Sequence, residues 1–402
     1  MEHSDLPAIE VQPFLGARRH LRISFVTETY PPDVNGVAMT LQRIVEGLQS
    51  LGHDVWLVRP RPSRSANQDM QGNESLVRGI PIPMYPELKL GLPAKRYLVR
   101  LWSRNRPDLV HVATEGPLGW SAIQAAKKLK IPITSDFRTN FHAYSAFYNL
   151  GFLKKAILGY MRKFHNATQC TMVPTDELGQ SLAPLGFQRL VVIPRGIDTD
   201  LFDPAKRSLE LRRVWGVGPD TTVLLSVGRL AAEKNLDLTV KAYQHARSKG
   251  GDVRLVVVGD GPLREQIAKA CPDAIFTGTQ RGDSLAAHYA SADVFIFPSV
   301  TETFGNVTLE AMASGLAVVA FDCAAARQLI RHAESGCLAA LGDESGFLGL
   351  TQRLVSDADF RRSMGLVARR VSLDQGWSKI LQKTETVMGS VVSQSGLTRS
   401  VA

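Results

Sequence analysis

The stretch RISFVTETYPPDVNGVAMTLQRIVEGLQSLGHDVWLVRP, residues 22–60, decides the architecture. RISFVTE is a short apolar run of the kind that forms a buried strand. From Val37 to Leu51 the apolar residues recur at helical spacing until Gly52 ends the helix, and DVWLVRP is a strand again. A strand, loop, helix and strand in that order put two parallel strands into one sheet. The alternation continues through PDLVHVA, a helix over WSAIQAAKKLK, PITSDF, a basic helical stretch, CTMVPT and LVVIPRG. PRGIDTDLFDP, with prolines at 194 and 204, reads as a linker. A second series of the same kind follows: TVLLSVGRL, a helix near LDLTVKAYQHARSKG, RLVVVGDG, a helix from Leu263, AIFTGT, a helix through LAAHYASA, DVFIFPS, the helix of VTLEAMASG, and AVVAF.

The expected organisation is therefore a loose leader over 1–20, a parallel α/β domain over 21–195 and a second over 196–376. A helix within 377–402 is expected to fold back onto the first domain. A length of 402 residues with 44% hydrophobic side chains suits two cores better than one. Two open α/β sheets leave a cleft outside the carboxyl ends of their strands, which is where such sheets bind ligands.

Composition narrows the function. The four cysteines, Cys170, Cys271, Cys323 and Cys337, form no CxxC pair and have no histidine at zinc-ligand spacing, which fits a reducing cytoplasm. No run of about eighteen apolar residues is present to span a bilayer. The formal charge of +9 favours anionic partners without choosing among nucleic acid, acidic lipid and phosphorylated metabolite. Its distribution is more informative: no Asp or Glu falls between Arg138 and Thr175, where Lys154, Lys155, Arg162 and Lys163 alternate with apolar residues.

The word VTET occurs twice, from Val26 and from Val300. The first copy closes a strand and opens a loop, whereas the second follows a strand and runs into a helix, so the two are not repeats of one unit. In TETFGNVTLEAMASG the helix is expected to begin near Asn306, after a turn at Gly305, leaving unpaired N–H groups and the positive dipole end for an anion. Glu302 precedes that helix and Glu310 lies within it; with seven residues between them, they address different parts of a ligand. SVGRLAAEKN adds Arg229 and Lys234 beyond a strand end, a planar fork and a mobile point charge suited to a diphosphate. VVVGDGPLREQI partly imitates the dinucleotide fingerprint, but Arg264 occupies the third glycine position. Taken singly, each of these features is an ordinary solvated residue or turn.

Taken together and in this order, RISFVTETYPPDVNGV, GRLAAEKN, VVVGDGP and the pair Glu302 and Glu310 resemble the retaining glycosyltransferases of the GT-B group usually called family 4. The resemblance covers nearly the whole chain. It implies two Rossmann-like domains facing across a cleft and transfer of a hexose from a nucleotide diphosphate sugar. It implies that Arg229 and Lys234 bind the donor diphosphate, that Glu302 contacts donor-sugar hydroxyls, and that Glu310 holds the ribose. Backbone N–H groups of Phe304, Gly305, Asn306 and Val307 would contact sugar and phosphate. Gly36 would approach the phosphates from the first domain, and Gly259, Gly261, Gly278 and Arg281 would lie near the base. The two VTET stretches would then be opposite walls of one site.

One departure stands out. Where such enzymes commonly carry a His-Thr pair, this chain has FRT, so Arg138 replaces a histidine and cannot serve as a base near neutral pH. His142, in TNFHAYS, is the candidate to take its place. A front-face displacement, in which the leaving phosphate accepts the acceptor's proton, needs no protein base, and protein groups then stabilise developing charge. No metal or other cofactor is expected: the DxD matches at Asp198 with Asp200 and Asp357 with Asp359 do not fall at cleft-facing strand ends.

The acceptor is expected to be a glycolipid, another membrane lipid or a saccharide. LPAKRYLVRLWSRNRP, with Lys95, Arg96, Arg100 and Arg104, and the stretch Phe147 to Phe164 are both basic and apolar. Such helices either lie on an anionic leaflet or pack their apolar residues on the sheet. The expected location is cytoplasmic, peripheral to the inner face of the membrane. Similarity to bacterial lipid glycosyltransferases puts GDP-mannose first and UDP-glucose second as donor. A nucleotide-sugar hydrolase or epimerase of the same fold, or a transferase building polysaccharide repeats, is the alternative. Nucleic acid is not an expected partner, since aromatics are not interleaved with the cations on any sheet face.

Overall fold

A computed structural model of the chain describes residues 20–33, 36–62, 73–82, 85–138, 151–300, 302 and 304–400. Residues 1–19 of the expected leader, and His142, lie outside them.

The first sheet has seven parallel strands in the order β3-β2-β1-β6-β7-β8-β9. These are β1 (Arg22–Val26), β2 (Asp54–Pro60), β3 (Glu74–Val77), β6 (Leu109–Val112), β7 (Ile133–Asp136), β8 (Cys170–Val173) and β9 (Leu190–Val192). An antiparallel hairpin of β4 (Gly79–Ile82) and β5 (Tyr85–Gly91) interrupts the series. The helices of this half are α1 (Gly36–Ser50), α2 (Lys95–Arg104), α3 (Pro117–Lys128), α4 (Gly151–His165) and α5 (Asp176–Leu182). β1 pairs with β2 on one side and β6 on the other, and Ile23, Phe25 and Val26 are fully buried, which is why this strand reads as an unbroken apolar run.

The second sheet has six parallel strands in the order β12-β11-β10-β13-β14-β15. They are β10 (Thr222–Val227), β11 (Val253–Val258), β12 (Ile275–Gly278), β13 (Val294–Phe297), β14 (Ala317–Phe321) and β15 (Cys337–Ala339). Its helices are α6 (Leu209–Val214), α7 (Leu236–Ser248), α8 (Arg264–Ala270), α9 (Gly282–Ser291), α10 (Asn306–Ala313), α11 (Ala324–Leu329), α12 (Glu344–Ser356) and α13 (Ala358–Leu373). In both sheets the strand order reverses beside the first strand of the series, between β1 and β6 and between β10 and β13. Ligands of such sheets bind at that reversal.

α14 (Trp377–Ser400) leaves the second half and returns to the first. Ile380, Met388, Val391 and Val392 enter the core formed by β1, β2 and α1. Burying a side chain of that size contributes about 1.5–3 kcal/mol, so four of them dock the helix firmly. Gly47 makes room for it: a Cβ there would stand 2.2 Å from Leu381 Cδ1. The linker also packs more than its sequence suggests. Phe202 joins the second core, and Ile197 bridges to Gly376, tying both connections between the halves together.

Candidate active site

The second sheet presents its carboxyl ends to the cleft through three loops. α10 begins at Asn306 after Gly305, whose φ of +91° is the left-handed conformation glycine tolerates; no side chain caps the helix. Phe304 anchors the turn by burying its ring in the core, while its carbonyl accepts from Ala325 N–H at 2.8 Å. The first turn therefore holds its N–H groups at the cleft side of β13.

Glu302 stands before that turn. Its Oε1 accepts from Ser299 Oγ at 2.8 Å and is ion-paired with Lys234 Nζ, which also lies 5.5 Å from the centre of the Phe297 ring. Both side chains are largely shielded, at 15% and 21% exposure. Arg229, by contrast, is exposed and pairs with no described carboxylate. The loop after β10 thus offers one cation already engaged by Glu302 and one turned to solvent.

Glu310 lies on α10, half-buried, accepting at 2.9 Å from the hydroxyl of Tyr289, which is fully buried. Burial pushes its carboxyl up to about 7, partly offset by the Tyr289 bond, and the Tyr289 hydroxyl is pushed well above 10 by burial and by Glu310.

The glycines separate into two kinds. A Cβ on Gly259 would meet Gly228 O at 1.9 Å, and one on Gly261 would meet Leu230 O at 2.5 Å, so the close approach of the β10 and β11 loops accounts for both. Gly36, at the first residue of α1, would meet nothing within 4 Å, and neither would Gly278. Internal packing among the described residues therefore leaves room for a side chain at position 36. Arg281 is exposed before α9.

Facing these loops, the first half contributes a charged cluster that sequence reading largely missed. Asp136, at the end of β7, accepts from Arg138 Nε at 2.7 Å and lies 3.3 Å from His111 Nε2. Burial opposes its charge, but the Arg138 guanidinium and His111 outweigh it and hold the carboxyl well below the usual range. Arg138 is therefore a clamped residue, 11% exposed, rather than a free replacement for a catalytic histidine. Arg195, from the linker, is buried beside it. Burial, followed by repulsion from Arg138, pulls its guanidinium down to about 9, against attraction from Asp136 and Glu302. The signal for Asp136 was available: an acid two residues before Arg138 on an extended segment shares its face.

In the first VTET, Glu28 is engaged within its own half: its Oε1 accepts from Leu118 N–H at 2.9 Å, in the first turn of α3. A helix tip supplies unpaired donors, and Gly116 clears the space for the carboxylate, since a Cβ there would fall 1.9 Å from Glu28 Oε2. Burial nevertheless raises Glu28 to about 7. The two DxD matches also have local roles. Asp198 pairs with Arg43 at 2.9 Å, and Asp357 caps α13 through Phe360 N–H while Asp359 pairs with Arg362 at 2.6 Å.

Comparison with known proteins identifies the family. The model of "Glycosyltransferase Family 4" matches residues 34–201, and that of "Glycosyl transferases group 1" matches residues 221–357. A GDP-mannose-dependent alpha-mannosyltransferase of Mycolicibacterium smegmatis is 34% identical over 92% of this chain and 98% of its own length. An alpha-monoglucosyldiacylglycerol synthase of Streptococcus pneumoniae is 28% identical over 75% of this chain and 71% of its own. Among solved structures, sucrose-phosphate synthase of Thermosynechococcus elongatus superposes with a TM-score of 0.76 at 17% identity, covering 93% of this chain and all of that one. The chain belongs to the family 4 glycosyltransferases, and its two facing parallel sheets are the GT-B fold.

Proposed function

We propose that the protein is a retaining hexosyltransferase that moves mannose from GDP-mannose to a hydroxyl of a glycolipid or other membrane lipid. The observation that carries the site is the convergence of Lys234, Glu302 and the α10 tip at the strand-order reversal of the second sheet. The diphosphate lies against the α10 tip, Lys234 and Arg229; Glu302 orients the sugar hydroxyls; Glu310, with Oε1 left open by Tyr289, takes the ribose. Gly36 admits the phosphates from the other side. The leaving phosphate removes the acceptor's proton, so Arg138 need not act as a base. Two cations and a helix tip neutralise the diphosphate without a metal ion.

Mannose is favoured because three GDP-mannose-dependent alpha-mannosyltransferases align at 31–34% identity over 90% or more of this chain. The glucosyl diacylglycerol synthases among the relatives support glucose as the second sugar, with UDP-glucose the donor the second reading takes, and a lipid as acceptor. Among the described residues no helix is long and apolar enough to cross a membrane. The deciding experiment supplies purified protein with GDP-mannose or UDP-glucose and a lipid acceptor and measures release of the nucleoside diphosphate. Release from GDP-mannose alone is expected; release from UDP-glucose alone would reverse the donor assignment, and release without any acceptor product would mark a hydrolase.

A further inference from the structure

We propose that Arg195 is a positioning residue for donor binding: from the linker between the halves it fixes the first turn of α1, through Thr40, where Gly36 meets the diphosphate. The inference rests on the donor site described above. Arg195 Nη1 donates to Thr40 Oγ1 at 2.8 Å, and Thr40 Oγ1 donates to the Gly36 carbonyl at 2.7 Å. A hydroxyl has one proton, and here it is spent on Gly36, so the direction of both bonds is set and the chain runs from linker to helix tip. Thr40 and Arg195 are both buried.

Packing alone does not call for this residue. An apolar side chain would fill the space without the desolvation that the guanidinium incurs, and Arg195 Nε is buried with no hydrogen-bond partner. The charged groups facing it are Arg138 and Asp136 at the end of β7 and Glu302 beyond β13. A cavity of about 20 Å³ touches Thr40, His111, Asp136, Arg138, Arg195 and Trp377, so the guanidinium stands where the first sheet, the linker and the start of α14 meet. Ile197, two residues on, is bridged to Gly376. The setting of the linker is thereby transmitted to the tip of α1 by two hydrogen bonds.

The test compares Thr40→Val, Thr40→Ser, Arg195→Met and the Thr40→Val/Arg195→Met double variant by calorimetric titration with GDP-mannose, alongside thermal melting. Thr40→Val is nearly isosteric and guards against loss of folding in the arginine variant. Each single removal is expected to raise the Kd by about three- to tenfold, the loss of one hydrogen bond. Thr40→Ser should bind as the intact protein does, and the double variant should be no weaker than the worse single, because both break one chain. Additive losses, or a folded Thr40→Val protein that binds normally, would overturn the proposal while leaving the donor site standing. Failure of the intact protein to bind any nucleotide sugar would overturn both.

Discussion

Lys234 and Glu302 are ion-paired across the space between the β10 and β13 loops, so the cation assigned to the diphosphate and the carboxylate assigned to the sugar neutralise each other before a donor arrives. The pair must be shared or opened when the donor binds, and its two members should fail differently. Lys234→Ala removes a charge-assisted contact of about 1.5–3 kcal/mol, so nucleotide-sugar Kd should rise roughly ten- to a hundredfold. Glu302→Gln frees Lys234 for the phosphates, so the Kd should hold or fall while kcat drops by two orders of magnitude or about that. Calorimetry with turnover assays separates the two; equal loss of binding in both variants would contradict the assignment.

Glu310 should give donor binding a pH dependence. A carboxylate accepts the ribose hydroxyls better than a carboxylic acid does, and burial holds this group up near 7. Nucleotide-sugar affinity should therefore improve as pH rises through about 7. GDP-mannose is the proper probe, since a free terminal phosphate titrates near 6 on its own account. Tyr289→Phe removes the bond that lowers Glu310, so the midpoint should move to higher pH; Glu310→Gln should flatten the profile. Without ligand the same shift has the opposite sign for stability. The native state retains a proton that the unfolded chain releases near 4.5, so stability falls between about 4.5 and 7, by at most about 3 kcal/mol.

The parallel series was legible because strands such as RISFV and TVLLSV are buried on both faces and read as unbroken apolar runs. The start of α10 was legible because Gly305 and Asn306 punctuate it. β3 and the β4–β5 hairpin were not, since ESLV and GIPI are too short and mixed to show a period. Neither was β15, which is CLA alone. In the site, motif spacing found Lys234 and Glu302 but could not say that they pair. It gave Glu28 no partner, because the letters VTET carry no information about which helix tip a carboxylate will meet. Thr40 and Arg195 lie 155 residues apart, and only the folded chain brings them together.

Asp136 carries a structural prediction. It faces Arg138 and His111, with Arg195 beyond, and it is the buried acid that compensates two guanidinium groups. Asp136→Asn would leave them as unpaired like charges, a cost of about 3–5 kcal/mol measurable by chemical denaturation at pH 7. Because its folded pKa is depressed, the stabilisation is present above the unfolded value near 3.9 and lost as pH falls below it. The variant should therefore lack part of the acid-induced loss that the intact protein shows, and an unchanged midpoint at pH 7 would mean that solvent, not Asp136, screens the arginines.

The basic helices of the first half bear on how the enzyme meets its acceptor. Residues 147–150 lie outside the described residues; among the described side chains Leu98 and Trp102 of α2 and Met161 and Phe164 of α4 are buried in cores. Arg96, Arg100 and Arg104 on α2, and Lys155, Arg162 and Lys163 on α4, remain exposed. Of the described large apolar side chains on these helices, Tyr97 and Tyr160 stand out at 40% and 39% exposure. Membrane attachment through these faces would therefore be electrostatic rather than insertive, at about 1 kcal/mol per cation near an anionic surface. In vesicle co-sedimentation the protein should bind membranes containing anionic lipid, release in high salt, and ignore zwitterionic membranes. Replacing Arg96, Arg100 and Arg104 together by Gln should weaken binding by roughly two orders of magnitude, from about three such contacts discounted for screening. Binding that persists in high salt would instead require an apolar surface beyond the described side chains of these two helices.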